Sequence, residues 1–350
     1  MLFASQTPII TCTSANEVKG AISIFCRPKD VVLEFGSELS DVSLHLCNTI
    51  GPGGKAFLVD KKRSVSNSGN VRSVDIFLKN EELDSSFSDR FEYIELDNLS
   101  EQCWREKLFC ETTNSHDIMI LSVAHIIGND LYMTTLTLAS EMMRYSQPRA
   151  IIVKSKALYA LSRRLVHSQR LFDNTKTLPA DMKRGPEPYL IAGVKVEEYR
   201  KTIPFIVRKG DAILEVGCHF GRTTHLLNEG GRYCIGVDIG PKIIANAKKQ
   251  YPGIDFAVGD AWRTLALLKL RSTFTQEVDL GYDLVYADIG GLSGADGLLE
   301  SLSLLESLGN ALEPRCIVIK SLCMRQLASR LKFFPDVWAK HNNTTTKIVS

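Results

Sequence analysis

Apolar residues in this chain gather in short runs that end at a glycine or an acid, and the stretches between runs space leucine and isoleucine as a helix would. In the second half, Ala212–Val216 is such a run and stops at Gly217. Tyr233–Asp238, Phe256–Val258, Leu284–Ala287 and Cys316–Lys320 follow the same form. Short, nearly continuous apolar runs bounded by turn residues predict strands buried on both faces. Between them, Arg222–Asn228, Lys242–Gln250 (stopped by Pro252-Gly253) and Gly297–Leu312 (stopped before Pro314) predict helices. Strands alternating with helices imply an α/β fold with a mainly parallel sheet. Ligands of such sheets bind beyond the carboxyl ends of the strands, where the strand order reverses.

The pattern occurs twice. Residues 117–165 align without gaps on 283–331 at an offset of 166, with 13 of 49 positions identical. Asp117 matches Asp283, Gly128 matches Gly294 and Asp130 matches Asp296. Pro148-Arg149, Ile151 and Lys154-Ser155 face Pro314-Arg315, Ile317 and Lys320-Ser321. Val31–Gly36 parallels Ala212–Gly217. Such self-similarity points to two homologous domains, expected at 18–180 and 185–350. The joint is expected at Leu178–Pro186, which is rich in Pro and Gly.

Composition adds bounds. Hydrophobic residues make up 44% and charged residues 23% of 350, which excludes wholesale disorder and fits about two globular domains. The longest apolar run, Ile118 to Ile127, is broken by His125 and is too short to span a bilayer. The first twenty residues lack a secretory pattern, and nine cysteines without regular spacing read as reduced thiols. An intracellular location follows, cytoplasmic or nuclear. The hydroxyl-rich, acid-poor start (Ser5, Thr7, Thr11, Thr13, Ser14) leaves organellar targeting open. No Cys-x-x-Cys pair, metal-ligand spacing, Walker loop or Gly-x-Ser-x-Gly elbow is found. Net charge is only +2, but residues 149–209 carry 14 Lys or Arg against 5 acids and residues 314–350 carry 7 against 1. That concentration reads either as a phosphate-binding surface, with RNA as partner, or as the solvated face of a helix.

The first strand of the second half runs into Glu215-Val216-Gly217-Cys218-His219-Phe220-Gly221-Arg222. The spacing acid-x-Gly-x-x-x-Gly is not the dinucleotide fingerprint. It resembles motif I of the class I S-adenosylmethionine (SAM) methyltransferases, acid-x-Gly-x-Gly-x-Gly, with His219 at the middle glycine. The resemblance implies tandem Rossmann-like methyltransferase domains and SAM as cofactor. Glu215, Gly217, Cys218, His219, Phe220 and Gly221 would form its first loop. Asp238, with Ile239, would stand at the ribose, and Asp260, with Ala261, at the adenine. Asp288 would lie beside the methyl group.

Lys320 ends a buried strand, an expensive place for an ammonium unless it faces a cleft. With Asp288 it resembles the FtsJ-like ribose 2′-O-methyltransferases, whose Lys-Asp-Lys-Glu set would also take Lys195, upstream of motif I. The fourth member is missing, since no Glu follows Lys320. The 2′-O reaction is therefore not assigned. Lys320 reads equally as a holder of an interdomain carboxylate or a phosphate. His219 and His225 read as a general base or as cofactor-lining or surface groups, and Trp262 as a stacking platform or as core. In the first half, Glu34, Gly36 and Asp60 persist while Ser122 faces Asp288. That half is expected not to catalyse and to serve as docking or dimer-like support. Three functions remain open: an RNA methyltransferase with its site in the second domain, a non-catalytic scaffold or RNA-binding subunit, and a small-molecule methyltransferase.

Overall fold

The computed structural model describes residues 6–37, 40–61, 89–96, 115–124, 130, 132–175, 178–229, 233–274, 281–290 and 297–349. Gly128, Gly294, Asp296, Gly291, Cys103 and Cys110 lie outside the described residues. The chain forms two compact units. The first comprises Met1–Arg163 and Arg330–Ser350, the second Arg164–Ser329.

In chain order the elements begin with β1 (Ile9–Cys12), α1 (Ala15–Phe25), β2 (Val31–Phe35), α2 (Asp41–Ile50), β3 (Lys55–Lys61) and β4 (Phe91–Leu96). Then come β5 (Ile118–Leu121), α3 (Tyr132–Tyr145), β6 (Ala150–Lys154), α4 (Lys156–Arg164), β7 (Leu165–His167), α5 (Gln169–Phe172) and β8 (Tyr189–Gly193). The series continues with α6 (Val196–Lys201), α7 (Ile203–Ile206), β9 (Ala212–Val216), α8 (Arg222–Asn228), β10 (Tyr233–Asp238), α9 (Pro241–Gln250) and β11 (Asp255–Val258). It ends with α10 (Thr264–Phe274), β12 (Leu284–Ala287), α11 (Leu298–Leu312), β13 (Cys316–Lys320), α12 (Leu322–Arg330), β14 (Leu331–Phe333) and α13 (Phe334–Val349). The strands expected in the second half fall where the apolar runs placed them.

Each unit is built on one seven-stranded parallel sheet, ordered β14-β1-β6-β5-β2-β3-β4 in the first and β7-β8-β13-β12-β9-β10-β11 in the second. Strand for strand the two orders correspond. Parallel strands need covered faces, which is why β5, β9 and β12 are buried along their whole length. The order reverses between β9 and β12, and between β2 and β5, and leaves a crevice at the carboxyl ends of those strands.

The units differ from the expected boundaries at 18–180 and 185–350, and strand pairing is the cause. Fully buried β1 pairs with β6 from Ile9 to Cys12, so the first unit begins before residue 18. β14 pairs with β1 through Ile9 and Leu331, which draws residues 330–350 into the first unit. β7 pairs with β8 through Leu165 and Leu190, so the second unit starts at Arg164. The Pro- and Gly-rich segment expected as the joint is packed within the second unit. There the Gly185 amide donates to the Glu313 carbonyl, and the Arg208 guanidinium donates to the Ala180 carbonyl. Among the described residues no helix is long and apolar enough to cross a membrane, and no acid, His or Cys cluster could hold a metal ion.

Candidate functional site

The crevice of the second unit is shaped first by glycine. Gly217 follows β9 with φ of +78°, and a β-carbon there would collide with the backbone carbonyl oxygen of Asp288, at the end of β12. Only glycine allows that approach without strain. The amides of Gly217 and Cys218 both donate to the Val237 carbonyl at 2.8 and 3.0 Å, which ties the turn to β10. His219 has φ of +49°, the left-handed region in which a side chain costs free energy. Its amide donates to Asp238 Oδ2 at 3.1 Å, and its ring rests against Phe220 with centroids 3.9 Å apart. Gly221, at +82°, opens α8, and a side chain there would meet Phe256.

Acids stand at the ends of neighbouring strands. Asp238 ends β10; besides His219 it accepts from the Gly240 amide at 3.0 Å. Asp260 follows β11 and accepts from the Trp262 amide at 3.0 Å. Around them Ile239, Val258, Trp262 and Leu265 are exposed apolar side chains, and Ala261 lies between them in sequence. That combination of two carboxylates and an uncovered apolar surface fits a nucleoside, whose hydroxyls need acceptors and whose base needs an apolar face. Trp262 is exposed rather than core.

Below the turn, Glu215 is buried on β9, and Thr224 Oγ1 of α8 donates to its Oε2 at 2.5 Å. Burial pushes its pKa up to about 8, with the Asp288 carboxylate adding to the rise and the Thr224 bond opposing it. Tyr199 of α6 is also fully buried, packs edge-on against Tyr286 with centroids 5.1 Å apart, and its hydroxyl has no hydrogen-bond partner among the described residues. Tyr199, Thr223 and Arg200, whose Nε donates to Thr223 Oγ1 at 2.9 Å, form a layer the sequence reading missed. Tyr199 is four residues past Lys195, one helical turn, and that spacing was the available signal.

An ion pair stands at the carboxyl ends of β12 and β13. Lys320 Nζ, at the end of β13, lies against Asp288 Oδ1, both half-buried. β12 and β13 are neighbours, with Ala287 opposite Ile319, so the two side chains leave adjacent strands at the same end. Lys195 caps α6 two residues after Gly193, which is the register partner of Lys320 on β8. Its side chain is exposed at that end of the sheet. His225, by contrast, stacks on Tyr251 and faces Glu229 at 3.6 Å, away from this group.

Two arginines of the basic stretches are held in internal ion pairs. Arg315 is buried and grips Asp211 at 2.6 and 2.8 Å, with Asp283 at 3.9 Å. Arg149 does the same in the first unit, with Asp30 at 2.6 Å and Asp117 at 3.0 Å. The Pro-Arg and Asp identities of the repeat are thus a structural clamp at the amino ends of the strands, opposite the crevice. The first unit keeps the turn at Gly36 (φ +81°) and the buried Glu34, to which Ser43 donates at 2.9 Å, but carries Ser122 where Asp288 stands.

No family model matches the chain, and no curated protein does. The chain is similar to solved SAM-dependent methyltransferases. A TehB-like SAM-dependent methyltransferase from Corynebacterium glutamicum is 22% identical over 38% of this chain and 70% of its own, with a TM-score of 0.27. One from Mesorhizobium loti is 23% identical over 34% of this chain and 48% of its own, with a TM-score of 0.25. Fibrillarin from Aeropyrum pernix, solved with natively bound SAM, is 22% identical over 28% of this chain and 42% of its own, with a TM-score of 0.20. The chain thus spans less than half the length of the second and third.

Proposed function

We propose that the second unit is a SAM-dependent methyltransferase centre and that its substrate is RNA. The observation that carries this reading is the Lys320–Asp288 pair beside the Gly217 turn, at the point where the strand order reverses. SAM would supply an electrophilic methyl group. Asp238 would take the ribose hydroxyls, and Ile239, Val258 and Trp262 would cover the adenine, with Asp260 and Ala261 at its edge. Cys218, His219 and Phe220 would wall the methionine end. Glu215, holding a proton near neutral pH, would present a hydroxyl rather than a second negative charge. Asp288 would orient the Lys320 ammonium, and the pair would lower the pKa of the nucleophile and hold it in line with the methyl carbon, the thioether being the leaving group. Lys195 would add a second cation at the same end.

RNA is favoured by the exposed Lys195, a second cation at the carboxyl ends of the strands beside Lys320, where a backbone phosphate could reach the crevice. The first unit, with Ser122 for Asp288, would serve as support or as a docking surface for a protein partner. A scaffold reading is favoured by one feature, His219 in a left-handed position. Equilibrium binding of SAM to the intact chain and to Asp238→Ala separates the two, and absence of binding to the intact chain removes the enzyme. Tritium transfer from labelled SAM into total RNA, with Asp288→Ala as control, tests the substrate, and RNA affinity should fall steeply with salt.

A further inference from the structure

One ion pair of the first unit is replaced in the second by two cations. Over their first helices and strands the units correspond at an offset of 181 residues, with Val31–Gly36 on Ala212–Gly217. Hydrogen bonds confirm the match. Ser43 donates to Glu34 as Thr224 donates to Glu215, and Glu17 accepts from the Thr13 amide as Glu198 accepts from the Val194 amide. Lys19 of α1 therefore corresponds to Arg200 of α6, and Asp41, which opens α2, to Arg222, which opens α8. In the first unit Lys19 Nζ faces Asp41 Oδ2 at 3.7 Å. In the second the cation is kept and the acid has become another guanidinium.

Arg200 is half-buried, and its Nε donates to Thr223 Oγ1 at 2.9 Å, which fixes the guanidinium beside the start of α8. Arg222, the neighbour of Thr223, is exposed. The acids close in the chain or in space are Glu197, Glu198 and Glu215. Glu198 is taken by Ser168 and the Val194 amide, Glu215 is buried against Thr224, and Glu197 is exposed on α6. Among the described residues neither arginine has a carboxylate at ion-pair distance. Two like charges repel only weakly where water reaches them, but the same placement attracts an oxyanion, and a guanidinium fork matches phosphate oxygens in pairs. We propose that Arg200 and Arg222 together bind one phosphate of the RNA backbone, in the place that Asp41 holds in the first unit. The exposure of Arg222 suits a polymer lying over the surface rather than a cofactor enclosed in the crevice. Lys195 caps α6 roughly 7 Å along the helix from Arg200, so a strand touching both leads toward Lys320, whose register partner Gly193 is two residues before Lys195. The site rests on the reading of the second unit as an RNA methyltransferase and adds where the backbone is held.

Fluorescence anisotropy of a labelled single-stranded RNA with the full chain tests it, with SAM binding measured alongside. Arg222→Asp, which restores the acid of the first unit, weakens RNA binding at least about tenfold and lowers the slope of log affinity against log salt by about 1. SAM affinity stays at the wild-type value, which also reports that the variant is folded. Lys249→Asp, the same charge change on the exposed end of α9, weakens RNA binding less than about threefold, because salt screens a distant charge. Arg200→Gln also weakens it, and combined with Arg222→Asp adds little, since the same phosphate is lost in either case. If the wild type binds RNA but Arg222→Asp binds it equally well, or loses no more than Lys249→Asp, or loses SAM instead, the site is overturned and the methyltransferase reading stands. No RNA binding by the wild-type chain overturns the RNA reading and the site together.

Discussion

Gly217 and Asp288 touch backbone to backbone across the switch point, closely enough that no β-carbon fits between them. The contact fixes the distance between the turn after β9 and the carboxylate after β12, so the geometry of the crevice depends on one hydrogen atom. Gly217→Ala imposes a positive φ on alanine and pushes on the Asp288 carbonyl. We expect a loss of about 2–4 kcal/mol in denaturant unfolding and a weakening of SAM binding beyond what the residual folded fraction explains. A stable variant with unchanged binding would show that the strand ends can part at no cost.

His219 sits two residues on, also at positive φ but with a side chain. His219→Gly removes strain of about 1 kcal/mol, partly offset by the greater freedom of glycine in the unfolded chain. Stability should therefore change by less than about 1 kcal/mol, while His219→Val, β-branched, loses more. If the imidazole only obstructs the loop, SAM binds His219→Gly more tightly. If the ring is part of the wall, affinity falls. Isothermal titration reads the sign directly.

How legible these features were follows the range of the interactions. β9, β12 and β13 were readable because a strand buried on both faces has to be apolar throughout, which is a local property. β7 and β14 were not, since three residues such as Leu165–His167 hold their conformation only by pairing with β8, a contact sequence periodicity does not encode. Lys320 could be singled out as a costly charge at a strand end and the family resemblance set it with Asp288, while the register of β12 on β13 supplies the contact itself. The charge count is blind to pairing for the same reason. Arg149 looked like part of a phosphate surface, while its partner Asp30 lies far away in sequence, with only the fold to bring them to 2.6 Å.

The arginine clamps make that distinction measurable. Arg315 is almost fully buried with Asp211, and removing one partner of a buried pair costs about 3–5 kcal/mol because the other charge is stranded. Arg315→Ala and Asp211→Ala should each lower stability by that order. Replacing both by apolar residues, Arg315→Met with Asp211→Leu, should recover much of the loss. RNA affinity of the folded double variant should equal that of the wild type. A drop in RNA affinity without a drop in stability would assign the arginine to the surface instead.

The Lys320–Asp288 pair separates catalysis from binding. Asp288→Asn keeps the size of the side chain and removes the charge that orients the ammonium, so methyl transfer should fall by about 100-fold or more. SAM affinity, set by the Asp238 side of the crevice, should change little. Lys320→Met should lower turnover comparably and cost about 1–3 kcal/mol in stability, since a half-buried carboxylate loses its partner. Equal loss of SAM binding and turnover in Asp288→Asn would mean that the carboxylate holds the cofactor rather than the nucleophile.

Glu215 predicts a pH dependence of the opposite sense to that of an ordinary surface acid. Its folded pKa is pushed up to about 8, from the usual 4.5, chiefly by burial. The native state therefore binds this proton more tightly than the unfolded chain does. Its contribution is complete below the unfolded value and is lost as pH climbs through the window between the two. Unfolding free energy should decline from about pH 5 to about pH 8 by an amount on the order of a few kcal/mol from this group. Glu215→Gln mimics the protonated form and keeps an acceptor for Thr224 Oγ1, so it should flatten the decline and be the more stable protein at pH 8. The check is chemical denaturation of both proteins across that range. A wild-type curve that rises with pH, parallel to the variant, would place an ionised carboxylate at this position and a compensating cation beside it.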